Sequence, residues 1–279
     1  MTRRAFVIGH PVAHSRSPLI HGYWLERHAL SGSYERIDVA PADLPAFLQS
    51  VEAAGFRGGN VTIPHKEAAY LLVDQATPRA ALIGAVNTLW LEQGRLHGDN
   101  TDGQGFMASL AQTVGRGWVE EIGNALVIGA GGAARAIVGA LLDAGIPCIT
   151  VANRTEARAH ELSRFAPDRV TVLPWDALPE SLPRADLLVN TTQCGMRGQP
   201  GLDLEISRLP GGAIVADIVY VPLETELLAS ARARGLRTVN GLGMLLYQAV
   251  PGFERWFGVR PEVTGELQAL VEADIRRTP

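Results

Sequence analysis

Cysteine is nearly absent: 279 residues hold two, Cys148 and Cys194, without CxxC spacing. That excludes a disulfide framework and makes a reducing compartment the expectation. An excess of positive charge is missing as well. Twenty-five Lys and Arg stand against 29 Asp and Glu, for a formal charge of −4, so a dedicated nucleic-acid binder is excluded. The most apolar window, 124–152, is interrupted by Arg135, Asp143 and several glycines, and falls short of the roughly 20 apolar residues of a membrane span. After Met1-Thr2-Arg3-Arg4, the run Ala5–Ile8 is shorter than a secretory h-region and no cleavage site follows. The chain therefore reads as soluble and cytoplasmic, with neither nucleic acid nor membrane as a partner.

Catalytic motifs of two kinds are also missing. There is no HExxH, and His14, His21 and His28, spaced by seven, bring no carboxylate or thiolate shell with them. No metal is expected. No G-x-S-x-G supplies a serine nucleophile elbow. Scarcest of all is lysine. Of 25 basic residues, Lys66 is the one lysine and 24 are arginine. Codon bias accounts for the arginines but not for the exception. Arginine replaces lysine as a surface charge yet cannot surrender a proton, so a lone lysine hints at proton transfer or a point charge at position 66.

What remains is globular material, 47% hydrophobic and 19% charged, enough for two domains at roughly 150 residues each. The first half mixes short strands and helices. Ala5–Gly9 and Tyr34–Ala40 read as strands, and Ser17–Arg27 as a helix capped by Ser17 with Pro18 in its first turn. Ala42–Ala54 has helical spacing. Gly58–Pro64 reads as a strand ending on a proline, at an edge or a strand end. Ala85–Leu91 and Arg95–His97 form a hairpin around Gln93-Gly94. The second half alternates β-branched runs (Ala125–Ile128, Cys148–Ala152, Val170–Leu173, Leu187–Asn190, Ile214–Asp217, Arg237–Asn240) with helical stretches at 133–144, 155–165 and 222–234. Continuous apolar strands separated by crossovers predict a doubly wound parallel sheet covered on both faces. The fold class is α/β: an N-terminal substrate domain over 1–103, a Rossmann-type domain over 104–240, and C-terminal helices over 241–279 packing back on the first.

Gly129-Ala130-Gly131-Gly132-Ala133-Ala134-Arg135 fits G-x-G-x-x-A after a strand and at the opening of a helix. Gly129 permits the tight turn, Gly131 the approach of a pyrophosphate, and Ala134 close packing of helix on strand. An NAD site expects an acidic residue at the end of the next strand. This chain has Asn153-Arg154-Thr155, with Arg158 one turn later. Guanidinium groups suit a 2′-phosphate, so the cofactor expected is NADP(H).

Four polar clusters lie at strand ends in the first half: Ser15–Pro18, Asn60–Lys66, Gly84–Thr88 and Gly98–Gly103. Singly each has a bland explanation as caps and turns; together, hydroxyls and amides suit a polyhydroxylated small molecule. In order, S-x-S-P-x-x-H, N-V-T-x-P-x-K, G-A-V-N-T, G-x-N-T-D-x-x-G, G-A-G-G-A-A-R-A, N-R-T and G-L-G-M-L-x-x-Q resemble the shikimate dehydrogenase family, from Ile8 to Gln248.

The resemblance implies NADPH-dependent reduction of 3-dehydroshikimate to shikimate, in the pathway to aromatic amino acids. Lys66 and Asp102 match the catalytic pair. Ser15 and Ser17, with Tyr220, match the carboxylate site, and Thr62, Asn87, Asn100 and Gln248 the ring hydroxyls. Gly129, Ala130, Gly131, Gly132 and Ala133 match the pyrophosphate loop, and Asn153, Arg154, Thr155 and Arg158 the adenosine-phosphate site. By the same resemblance, Ile218 and Gly241 would flank the nicotinamide. Arg16, Gly22 and the segment Asn190–Met196 depart from the usual pattern, which touches substrate fine-tuning alone. A homodimer is compatible with the sequence. Two rivals are an NAD-using quinate/shikimate enzyme, against which Arg154 argues, and a non-catalytic NADP-binding regulator, which would be free to lose Lys66 or Asp102.

Overall fold

The computed structural model describes residues 3–277; Met1 and Thr2, at the head of the short basic start, lie outside it. The chain divides into two compact units. One runs to Asp102 and includes Gln248–Val271; the other runs from Gly103 to Tyr247 and resumes at Glu272. Sequence placed the second crossing at Asn240–Gly241. The difference is the first turns of the helix Gly241–Phe257, whose Met244 packs into the core of the second unit.

The first unit is built on a mixed sheet of β1 (Arg3–Gly9), β2 (Gly32–Asp38), β3 (Phe56–Val61), β4 (Gln75–Ala76), β5 (Thr88–Glu92) and β6 (Arg95–Asp99), in the order β2-β1-β3-β5-β6-β4. β1 pairs in parallel with β2 and β3, while β3, β5 and β6 run antiparallel. Of the two positions expected for the strand before Pro64, an edge or a strand end, the second is found: β3 lies inside the sheet and ends at Val61, before the proline can break the ladder. The hairpin forms as expected, with Gln93 and Gly94 at φ of 52° and 73°, the positive pair a type I′ turn needs. Ser17 is not the helix cap. Arg16 holds that place, and the Ser17 N–H donates to Ser15 Oγ at 3.3 Å. Phe6, Ile8, Val61 and Leu89 form the core on one side. The C-terminal segment joins this unit through Trp256 Nε1, which donates to the Leu89 carbonyl at 2.8 Å, and through Glu262, whose carbonyl accepts from Trp24 Nε1 at 3.0 Å.

The second unit holds β7 (Asn124–Ile128), β8 (Cys148–Ala152), β9 (Val170–Leu173), β10 (Leu187–Asn190), β11 (Ile214–Asp217) and β12 (Arg237–Val239), all parallel, in the order β12-β11-β10-β7-β8-β9. Alternate residues of each strand serve opposite cores. Ala125, Val127 and Val189 face one, Leu126, Ile128 and Leu188 the other, which is why these strands read as unbroken apolar runs. The order reverses at β7 and β10, the topological switch point where such sheets bind ligands beyond their carboxyl ends. Helices cover 132–143, 156–163 and 226–233, the last starting four residues later than expected because Thr225, with its side chain accepting from the Leu228 N–H at 3.4 Å, is its cap. Among the described residues no helix is long and apolar enough to cross a membrane.

Candidate active site

In the first unit the polar clusters converge. Lys66 opens the helix Lys66–Leu72, and its Nζ donates to Asp102 Oδ2 at 2.5 Å, the two side chains being 14% and 5% exposed. The other Asp102 oxygen accepts from Asn87 Nδ2 at 2.9 Å, and the same amide donates to Gln248 Oε1 at 3.2 Å. Asn100 fixes the backbone of Asp102: its Oδ1 accepts from the Asp102 N–H at 3.0 Å and its Nδ2 donates to the Ala85 carbonyl at 3.1 Å. Asn87, Asn100 and Asp102 are all buried. Buried polar groups tied this completely form a rigid network rather than a mobile surface.

Thr62 lies beyond β3, with its methyl against Gly9, where a Cβ would come within 2.5 Å. Ser15 and Ser17 meet across the helix start described above. Three residues outside the expected set belong to this cluster. Asn60, buried at the end of β3, donates through Nδ2 to the Asn87 carbonyl at 3.1 Å and accepts from the Tyr34 hydroxyl at 2.6 Å. Thr101 donates from its hydroxyl to the Gln248 carbonyl at 2.8 Å, and from its N–H to Asn87 Oδ1 at 2.8 Å. Asn60 stood within N-V-T-x-P-x-K and Thr101 within G-x-N-T-D-x-x-G; Tyr34 carried no motif. Burial pushes the Tyr34 phenol well above its ordinary value, with the Ser17 hydroxyl and Asn60 pulling the other way.

The three spaced histidines separate. His21 is buried, stacked on Tyr34 at 4.0 Å and on Phe253 at 5.8 Å. Loss of water drives its pKa down to about 3, against a smaller opposing pull from Asn60. Among the described residues no group of three or more His, Cys, Asp or Glu could hold a metal ion.

In the second unit Gly129 follows β7 at φ 112°, a region closed to most side chains, and a Cβ there would sit 2.3 Å from Thr191 Oγ1. Both facts require glycine. At Gly131 a Cβ would meet nothing within 4 Å, so the backbone beside it is open. Gly131 is the cap residue of the helix Gly132–Asp143, with no side chain bonding its first N–H groups. Ala134 is fully buried. An open glycine beside free N–H donors at a helix start fits a pyrophosphate. Arg154 lies two residues beyond β8, exposed, with Asn153 Nδ2 donating to the Thr155 carbonyl at 2.8 Å. Ile218 and Gly241 come together within this unit: a Cβ on Gly241 would lie 2.0 Å from the Ile218 carbonyl, and the Gly241 N–H donates to the Val219 carbonyl at 3.1 Å. Tyr220 follows, half-buried. A buried knot steadies this loop. Asp217 accepts from Asn190 Nδ2 at 3.0 Å, from the Val219 N–H at 3.0 Å and from the Thr225 hydroxyl at 2.7 Å, while burial raises its pKa.

Comparison with known proteins identifies the family. Residues 7–89 match the model of the shikimate dehydrogenase substrate binding domain, 110–196 that of shikimate / quinate 5-dehydrogenase, and 241–270 that of the shikimate 5'-dehydrogenase C-terminal domain. The chain is 60% identical over 276 residues to the NADP(+) shikimate dehydrogenase of Methylobacterium radiotolerans, covering 98% of each. The crystal structure of shikimate 5-dehydrogenase from Thermus thermophilus with NADP(H) and shikimate has a TM-score of 0.85 at 40% identity, covering 99% of both chains. Quinate dehydrogenase from Corynebacterium glutamicum, in complex with NAD, has a TM-score of 0.89 at 30% identity, over 98% of this chain and 99% of that one. With motifs, both sheets and nearly the full length in accord, the chain belongs to the shikimate dehydrogenase family.

Proposed function

We propose that this protein is an NADP-dependent shikimate dehydrogenase of the cytoplasm, reversibly reducing 3-dehydroshikimate to shikimate in the pathway to aromatic amino acids. The observation that carries this reading is the Lys66–Asp102 pair, held with Asn87 and Gln248 in one buried polar cluster. The nicotinamide, when bound, supplies hydride to the substrate's carbonyl carbon. The protein's task is at the oxygen, where negative charge develops. The Lys66 ammonium provides both positive charge and a proton there. Asp102 orients it, and Asn87 holds the far carboxylate oxygen so that the pair keeps one geometry. An ammonium bonded to the Asp102 carboxylate suits proton donation in the reductive direction. Ser15 and Ser17 bind the substrate carboxylate; Thr62, Asn87, Asn100 and Gln248 bind its ring hydroxyls. Gly129 to Ala133 hold the pyrophosphate, and Arg154 with Arg158 the 2′-phosphate.

A spectrophotometric scan of shikimate and quinate, each with NADP and NAD, tests the proposal. Turnover should be highest for shikimate with NADP. A preference for quinate with NAD would overturn it, and no turnover with any pair would favour a non-catalytic NADP-binding protein.

Arg154→Asp should shift cofactor choice toward NAD, lowering the NADP-to-NAD ratio of kcat/KM on the order of 10- to 100-fold. The new carboxylate repels a 2′-phosphate and can accept from a 2′-hydroxyl. An unchanged ratio would place the phosphate elsewhere.

A further inference from the structure

Arg154 makes no ion pair and no hydrogen bond among the described residues; the partner it has is a ring. Its guanidinium carbon lies 5.5 Å from the centroid of Trp175. The placement follows from the sheet. β8 and β9 are parallel neighbours with Ala152 opposite Leu173, so two residues further on each strand brings position 154 beside position 175. Trp175 opens a short 3₁₀ turn, Trp175–Ala177, and is half-buried, packed against the core that contains Leu178 and Leu182. The ring is anchored; the arginine is exposed and has four side-chain torsions. A guanidinium stacked on an aromatic face spends only its own face. Its five N–H donors lie in the plane and stay free for bidentate bonds to an anion.

We infer that Trp175 is a specificity-determining residue for the cofactor: a fixed aromatic platform that holds Arg154 in the orientation needed to grip a 2′-phosphate. It touches no reacting atom and acts through Arg154. The inference rests on the reading of Arg154 as the phosphate clamp. Ordering the arginine beforehand lowers the entropy lost when the phosphate binds, and that gain is available to NADP but not to NAD.

Equilibrium binding, measured by calorimetry without turnover, separates this from simple packing. In Trp175→Leu, which keeps apolar bulk against the core but removes the π face, the Kd for NADP+ should rise about two- to fivefold. The Kd for NAD+ should stay at its wild-type value. Trp175→Phe keeps a ring and should recover most of the loss. Parallel weakening of both cofactors, no change in either, or a Phe variant no better than Leu would overturn the inference. Should Arg154→Asp itself leave the NADP-to-NAD ratio of Kd values unchanged, the clamp reading fails and the platform with it. Should Arg154→Asp change the ratio while Trp175→Leu does not, the clamp stands and the platform alone is lost.

Discussion

Lys66→Ala should lower kcat by about 10²–10⁴-fold while the fold survives. Position 66 is the first residue of its helix, and the local scaffold uses its backbone: the Lys66 carbonyl accepts from the Val86 N–H at 2.9 Å. Alanine keeps that bond and is a good helix former. What goes is the ammonium, leaving the buried Asp102 carboxylate with the Asn87 amide but no counter-charge. Because the proton is needed in the transition state, kcat should fall more than KM rises. Lys66→Arg separates the two jobs of the side chain. It restores positive charge but not a proton that can be given up, so it should rescue little of the rate. Steady-state kinetics, with circular dichroism to follow the fold, decide the matter. An alanine variant within about threefold of wild type would remove Lys66 from proton transfer.

The second large effect is on stability in acid. An unfolded histidine has a pKa of about 6.5, whereas His21 in its aromatic cage is pushed down to about 3. Between those values the unfolded chain binds a proton that the folded protein refuses. Unfolding free energy therefore rises with pH across this window; the contribution is complete above about pH 6.5 and is lost as pH falls toward 3. The slope approaches about 1.4 kcal/mol per pH unit. Asp217 acts in the opposite sense. Its folded pKa is raised, so its contribution is present at low pH and lost as pH rises through the folded value. His21→Phe isolates the histidine, since a phenyl ring can stack between Tyr34 and Phe253 without titrating. Urea unfolding at several values between pH 7.5 and 4.5 should give a shallower acid limb for the variant. Parallel curves for the two proteins would show that His21 does not carry the proton linkage.

The inner strands of the second sheet, β7, β10 and β11, were legible because they are buried on both faces and read as apolar runs. The first hairpin was legible because Gln93-Gly94 announces its own turn. The helix Asp102–Val114 was not. A Cβ on Gly103 would come within 2.6 Å of the Ala136 carbonyl. The glycine is there for close packing, and packing partners 33 residues apart leave no local signal. The candidate site was legible as motifs and illegible as a network. Short motifs named Lys66, Asn87, Asp102 and Gln248, yet nothing local tells that Thr101 reaches the Gln248 carbonyl across 147 positions, or that Tyr34, on a different strand, secures Asn60. Ser17 misled for a physical reason. Serine one residue inside a helix and serine at its cap look alike in sequence, and here Ser15 supplies the acceptor.

The solitary lysine has a practical consequence. A protein made with nitrogen-labelled lysine carries one labelled side chain, and its ammonium resonance belongs to the group bonded to Asp102. The Lys66 side chain is 14% exposed and its ammonium is bonded to Asp102, so the signal should be observable where exposed ammonium groups are lost. A change in that one signal when NADP+ or shikimate is added would report on the site directly, with no assignment needed and no neighbouring lysine to confuse it.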